Sequence, residues 1–385
     1  MTWVVRCGWA GCAVLLAVLS CYLWVGPDIF THLFLGSRIL ETGQVQPTDH
    51  LILRQANFIN IYWLFQLLVT PIYRTADIPG LSALFFVVWL ATVYVWARTV
   101  RAFEMGGHGI WLGLVAILVF ATRFEPRPEV FSYLFCALQI YWLVTWDWDH
   151  PVPTGHYAMF ALSEALWANM QGYFILGPAL VGAKLFGAWV GRKNTMALRR
   201  LGALAGLTLI ASICSPLGWG TWNLVWLFGR FFTDTHDLIQ ELRPPTGEFL
   251  HLWIVWVFWM SWMGTIVLGA VRLFRRRLEA FPLILAAAGL YSGATYYRSI
   301  PLFMILVGPL WSSLSEMLPR PVRGNRTFAG LALCVTLSLS LWVVTGGYYR
   351  ALRSETSFGV GLSPPAYPVQ FSDWLGKPTG GKLFN

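Results

Sequence analysis

Two ionisable residues stand four apart in "GPDIFTHLFLGSRILETG", residues 26–43. On a helix Asp28 and His32 share one face. A carboxylate beside an imidazole suits removal of a proton from an attacking hydroxyl, with Asp28 as general base and His32 orienting it or the substrate. A second reading stands beside this one. Asp28 follows Pro27 and opens an apolar segment, so it also fits a helix N-cap, and a lone histidine packs or hydrogen-bonds more often than it ligates a metal.

The stretch "TRFEPRPEVFSYLF", residues 122–135, holds Arg123, Glu125, Arg127 and Glu129 between two apolar runs. Paired guanidiniums bind phosphate through bidentate hydrogen bonds. The same four charges are also able to neutralise one another in a salt-bridged cap. Arg298, in "ATYYRSIPLF", has no acidic residue within ten positions and is a third phosphate candidate. Glu164 interrupts the apolar run "MFALSEALWANMQGYF", where an unpaired charge is costly, so it is paired within the bundle, protonated or functional. Asn169 and Gln171 follow it and offer amides either to a sugar or to neighbouring helices. Tyr62 and Trp63 complete the set of substrate-binding candidates. Glu241 and the "RPP" at 243–245 fit a lid or a plain surface loop. There is no phosphate-cradling glycine loop, no serine–histidine triad motif and no nucleic-acid-reading element.

The elements that must position these residues are apolar helices. Of the 385 residues, 57% are hydrophobic and 12% charged, which predicts an all-α polytopic membrane protein. At roughly 20 residues per span, the sequence divides into about eleven runs. They lie near 8–26, 79–97, 109–122, 129–146, 157–169, 173–190, 201–215, 251–271, 279–296, 299–317 and 328–346. The first, preceded by Arg6, leads into Pro27-Asp28 without a small-x-small cleavage pattern and reads as a retained anchor. The net charge of +9 is distributed as topology rather than as a nucleic-acid footprint. Arg98 and Arg101, "GRKN" with Arg199 and Arg200, "RLFRRR" at 272–277, and Arg320, Arg323 and Arg326 all fall on one side, cytoplasmic with the N-terminus; the loop at 147–156 carries no Lys or Arg. Six cysteines, singly spaced in or beside the runs, suggest neither disulfides nor a zinc site.

The other side then receives a loop at 27–78, a turn at 123–128, a second loop at 216–250 and a tail from 347 to 385. Within the first loop, 29–42 reads as a helix closed by Gly43, "QPTD" at 46–49 as a turn, and 61–73 as a second helix too short to span. Both helices are expected in the interface plane, at the depth of a lipid-linked phosphate. Tryptophans near run ends, among them Trp24, Trp146, Trp148, Trp253 and Trp374, read as interfacial anchors.

Several strings, in order, resemble a bacterial family of polytopic membrane proteins of the GT-C glycosyltransferase superfamily. They are "PDIFTHLFLGSRILETGQVQPTDHL", "NFINIYWLFQLL", "RFEPRPEVFSYLFCALQIYWL", "LWANMQGYFILGPALVGA", "SPLGWGTWN" and "YYRSIPLFMILVGP". Related sequences carry an Asp-x-x-x-His-x-x-x-Gly motif after the first span, an Arg-Pro pair before a Phe-Ser/Thr-Tyr-Leu-Phe run, and a Trp-Ala-Asn element. The resemblance covers nearly the whole chain.

It implies a GT-C-like transmembrane domain over 1–346, in the bacterial cytoplasmic membrane, whose first outward loop bears a catalytic aspartate, here Asp28. The implied partners are a polyprenyl-phosphate-linked sugar donor, an acceptor that is a glycan, lipid or protein, and the bilayer, with no nucleic acid. A divalent metal is an open question. The departing phosphate needs only cations, for which Arg123, Arg127 and Arg298 are available, and the product would be inverted. Two positions depart from the pattern: Asn60-Ile61-Tyr62-Trp63 stands where relatives read Asn-His-Glu-Trp, and Gln171 where they read His. The departures leave open an altered acceptor, metal independence, or an inactive homologue serving as a lipid-binding or scaffold partner in envelope polysaccharide assembly. Relatives continue past this chain's "GGKLFN" into a soluble outward domain, whose start the tail would be. A transporter would show two related halves with ionisable groups at mid-membrane; no such repeat is visible, and Glu164 alone sits at depth.

Overall fold

The structure is a computed structural model that describes residues 3–45, 60–223, 226, 229, 239–275, 279–317, 325–364 and 366. It is mostly helical. The turn expected at 46–49, Trp374 and the basic residues 276, 277, 320 and 323 lie outside the described residues.

Each predicted apolar run is helical over most of its length. In chain order the helices are α1 (Trp3–Ser20), α2 (Asp28–Thr42), α3 (Trp63–Thr99), α4 (Gly107–Phe120), α5 (Glu129–Thr145), α6 (Thr154–Ala168), α7 (Leu176–Val190) and α8 (Thr195–Ser212). They continue with α9 (Trp253–Phe274), α10 (Ala280–Thr295), α11 (Ile300–Trp311) and α12 (Arg326–Val344). Five helical stretches among the described residues are long and apolar enough to cross a membrane: Trp3–Ser20, Trp63–Thr99, Gly172–Val190, Trp253–Phe274 and Arg326–Val344. α4, α5, α10 and α11 are apolar but shorter.

α11 is buried along its whole length, as expected of a helix apolar all round. Trp96 of α3 donates to the carbonyl of Met304 at 2.8 Å, and Gly289 and Gly293 bring α10 so close that added Cβ atoms would meet the Phe303 carbonyl at 3.3 Å and the Phe303 Cβ at 2.9 Å. Small residues four apart let two apolar helices approach where no side chain could fit.

The first apolar run is helical only to Ser20. Its end, β1 (Leu23–Trp24), pairs in parallel with β2 (Gly361–Leu362), so the residues after α12 return to the mouth of α1. Trp24 and Trp148, expected as interfacial anchors, are instead buried in the core.

α2 matches its prediction: Gly43 adopts φ 70° and its N–H caps the Ile39 carbonyl at 2.8 Å. The short helix expected at 61–73 is different. It begins at Trp63 and is succeeded directly by the next run, with the break concentrated at Asp77 (φ 51°, ψ −151°). Pro79 has no N–H to extend the preceding turn and restricts Ile78, which confines the break to this point.

Candidate functional site

Asp28 is the first residue of α2 and makes no capping hydrogen bond, which removes the N-cap reading. Its carboxylate turns to Arg127, with Oδ2 3.2 Å from Nη2. Gly36, eight residues on, lies on the same face. A Cβ there would meet Thr70 Oγ1 at 2.1 Å and the Gln66 carbonyl at 2.6 Å, so its absence sets how closely α2 lies on α3. Between them His32 is wedged edge-on against Tyr62 and Phe65, ring centroids 5.2 and 5.1 Å away, with Nδ1 3.4 Å from the Gln66 amide nitrogen. Gln66 is itself held by Asn60, whose amide nitrogen lies 2.7 Å from Gln66 Oε1. Burial, aided by the positive charge of Arg127, lowers the His32 pKa to about 4. The ring is therefore neutral at physiological pH, placed to pack and hydrogen-bond rather than to carry charge.

The turn between α4 and α5 supplies Arg123, Glu125, Arg127 and Glu129. Arg123 is 1% exposed, and its Nε donates to Glu129 Oε1 at 2.9 Å, while Nη1 lies 3.1 Å from Glu241 Oε1 and 3.7 Å from Glu125. Arg127 binds Glu125 at 2.7 Å and Glu241 at 2.9 Å as well as Asp28. Arg298, on the turn before α11, donates to the second oxygen of Glu129 at 2.8 Å and lies 5.7 Å from the centre of the Tyr173 ring. Four carboxylates thus interleave with three guanidiniums. Glu129 stands between Arg123 and Arg298, and Glu241 between Arg123 and Arg127.

A buried guanidinium is tolerable only when carboxylates face it, and beside the local Glu125 and Glu129 one of them, Glu241, comes from far along the chain. Glu241 belongs to a short turn, Gln240–Leu242, pinned where the Tyr297 N–H donates to the Arg243 carbonyl at 2.8 Å and Phe249 stacks on Tyr297 at 4.2 Å. Burial alone would raise the Glu241 pKa, but Arg123 and Arg127 outweigh it and hold the carboxyl below its ordinary value. The 239–250 segment is therefore an ion-paired strap over the arginines.

The structure brings Asp28, His32, Tyr62, Arg123, Glu125, Arg127 and Arg298 into one region. The Tyr62 hydroxyl feels Arg298, Glu129, Tyr173 and Asp28, and burial drives its pKa up to about 12, so it stays a neutral donor. Trp63, Asn169 and Gln171 form the adjoining scaffold. Trp63 Nε1 donates to Asn169 Oδ1 at 2.8 Å, and the Asn169 amide donates to the carbonyls of Ala165 and Cys214 at 2.7 and 2.9 Å. Gln171 accepts from Ser132 at 3.0 Å and from the Tyr173 N–H, which orients the ring beneath Arg298. These amides face protein groups, so they serve helix packing here. Among the described residues no cation pairs with Glu164: Gln139 Nε2 donates to it at 3.0 Å, and Gly177 leaves its carboxyl the room it occupies.

Sequence reading missed Tyr173 and Gln66, and it gave Glu241 no partner. The lid reading of Glu241 and "RPP" at 243–245 came nearest to the strap, but with Asp234, Asp237 and Glu248 in the same loop nothing marked Glu241 as the acid that reaches the arginines. Among the described residues no group of three or more His, Cys, Asp or Glu could hold a metal ion; the four carboxylates of the cluster face arginines instead. No family model and no curated protein matches the chain.

Proposed function

We propose that the chain is an all-α integral membrane protein of about eleven spans, and that it transfers a sugar from a polyprenyl-phosphate donor to an acceptor on the extracytoplasmic side with inversion. The membrane reading is supported by the apolar helices and by large side chains left exposed along them, among them Leu90, Met260, Val267 and Leu341. The transferase reading rests chiefly on one observation: Asp28, half exposed at 52%, is the outermost carboxylate of the cluster and is held there by Arg127 at 3.2 Å.

In this reaction Asp28 takes the acceptor hydroxyl proton as the acceptor oxygen bonds to the anomeric carbon. The bond to the phosphate oxygen breaks with its electron pair, and that charge falls to Arg127 and Arg298, the two partly exposed guanidiniums. Arg123, boxed by Glu129 and Glu241, positions the others. His32 and Tyr62, both neutral, offer hydrogen bonds to the sugar.

The complete pairing of Arg123 and Arg127 with carboxylates favours a second reading, a non-catalytic homologue that binds lipid or scaffolds envelope polysaccharide assembly. One assay separates the two: transfer from a panel of labelled polyprenyl-phosphate sugars by purified protein in lipid. Asp28→Asn should cost about 10²–10⁴-fold in rate, whereas unchanged transfer overturns Asp28 as base, and labelled lipid bound without transfer from any donor favours the scaffold.

A further inference from the structure

At the end of α5 opposite the arginine cluster, the last turns of α3 and α5, the middle of α7 and the entry to α10 enclose a cavity of about 710 Å³. Its charged lining is Arg98, Arg101, Glu104, Lys184 and Glu279. Arg101 and Glu104 neutralise each other at 2.7 Å. Lys184 interrupts the apolar helix α7, a costly place for an ammonium. Its Nζ lies 5.0 Å from the centre of the Phe281 ring, and no carboxylate among the described residues forms an ion pair with it. Glu279, on the same wall, exerts the largest attraction on it. Arg98 also lacks an ion pair among the described residues and lies beside Tyr94 and Tyr141. Among the described residues, two cations without an ion pair thus face one cavity against one acid, Glu279, that has none.

The remaining walls mix hydroxyl-bearing residues such as Tyr141, Thr145 and Ser312 with apolar ones such as Phe103 and Val144, and Tyr94, which also lines the cavity, is exposed on one face of α3 together with Val87 and Leu90. A cationic recess continuous with an apolar helix face has the chemistry for a phosphate that carries hydrocarbon chains. We propose that this cavity binds the headgroup phosphate of an anionic phospholipid, held by Lys184 and Arg98, with its acyl chains along α3. The inference rests on the membrane reading above and is independent of the transferase reading.

The test is native mass spectrometry of the full chain extracted from membranes and exposed to phosphatidylglycerol, phosphatidylcholine or inorganic phosphate. Each cation should contribute about a fivefold preference for phosphatidylglycerol over phosphatidylcholine. Lys184→Met and Arg98→Gln should each lower that preference by about that factor, while Lys184→Arg retains it. Equal retention of the two lipids by the wild type overturns the site even if the variants do not fold. An unaltered preference in folded Lys184→Met does so as well. Displacement of phosphatidylglycerol by millimolar inorganic phosphate would reassign the site to the free ion. Recovery of the chain in the soluble fraction would overturn the membrane reading itself, whereas membrane-bound protein without lipid preference overturns only this site.

Discussion

The two ends of α5 treat positive charge in opposite ways. At its start, Arg123 is sealed from solvent while Arg127 and Arg298 are partly exposed, and carboxylates from α2, the α4–α5 turn, α5 and the 239–250 strap are distributed among the three. At its far end, Lys184 and Arg98 face open volume with no ion-pair partner among the described residues. A guanidinium surrounded by acids fixes geometry, because moving any member strands a buried charge. A cation facing a cavity fixes little and is left to attract a ligand. The first end is accordingly where precise positioning is built, and the second where an anion has room to enter.

The sharpest way to break this contrast is Arg123→Met. It leaves Glu129 and Glu241 without their shared counter-charge, and we expect a loss of about 3–5 kcal/mol, read as a collapse of the thermal transition in detergent. Lys184→Met should leave that transition unchanged. If the two variants melt alike, the distinction between the ends fails.

A smaller effect is expected at Gly36, where the position of the cluster's outermost acid is set. Gly36→Ala forces α2 away from the Gln66 backbone and should cost about 1–3 kcal/mol. It should also lower transfer with Asp28 intact. Wild-type stability and transfer in this variant would show that α2 is not held by that close approach.

The gentlest probe is pH. His32 has a folded pKa of about 4 against an ordinary 6.5, so between these values the unfolded chain binds the extra proton and folding stability falls as pH is lowered. The contribution is fully present above 6.5 and is lost progressively toward 4. His32→Asn should flatten the melting temperature across that window. A slope that survives the substitution would assign it to another group.

Much of the fold was legible because its signals are local. Apolar runs ended by Pro, Gly and charge mark the helices, and Gly43 closes α2 where a left-handed residue is needed. The spacing of Asp28, His32 and Gly36 put three functions on one helix face: an exposed acid, a wedged ring and a gap for the neighbouring helix. The arginines of the 122–135 stretch were visible too, but not their roles. Phosphate binding and mutual neutralisation looked alike until the acids that face them were placed.

Sequence by itself determined that the chain is helical and apolar, and which ionisable residues it had to accommodate, since helix periodicity and hydropathy act over a few residues. Only tertiary structure decided that Arg298 shares Glu129 with Arg123, that Glu241 bridges two guanidiniums, and that Lys184 faces a cavity. Those pairings join residues as far as 169 positions apart. They exist because helix packing brings the ends of distant helices together, and Coulomb attraction at 3 Å in a poorly solvated interior then selects which charges remain there.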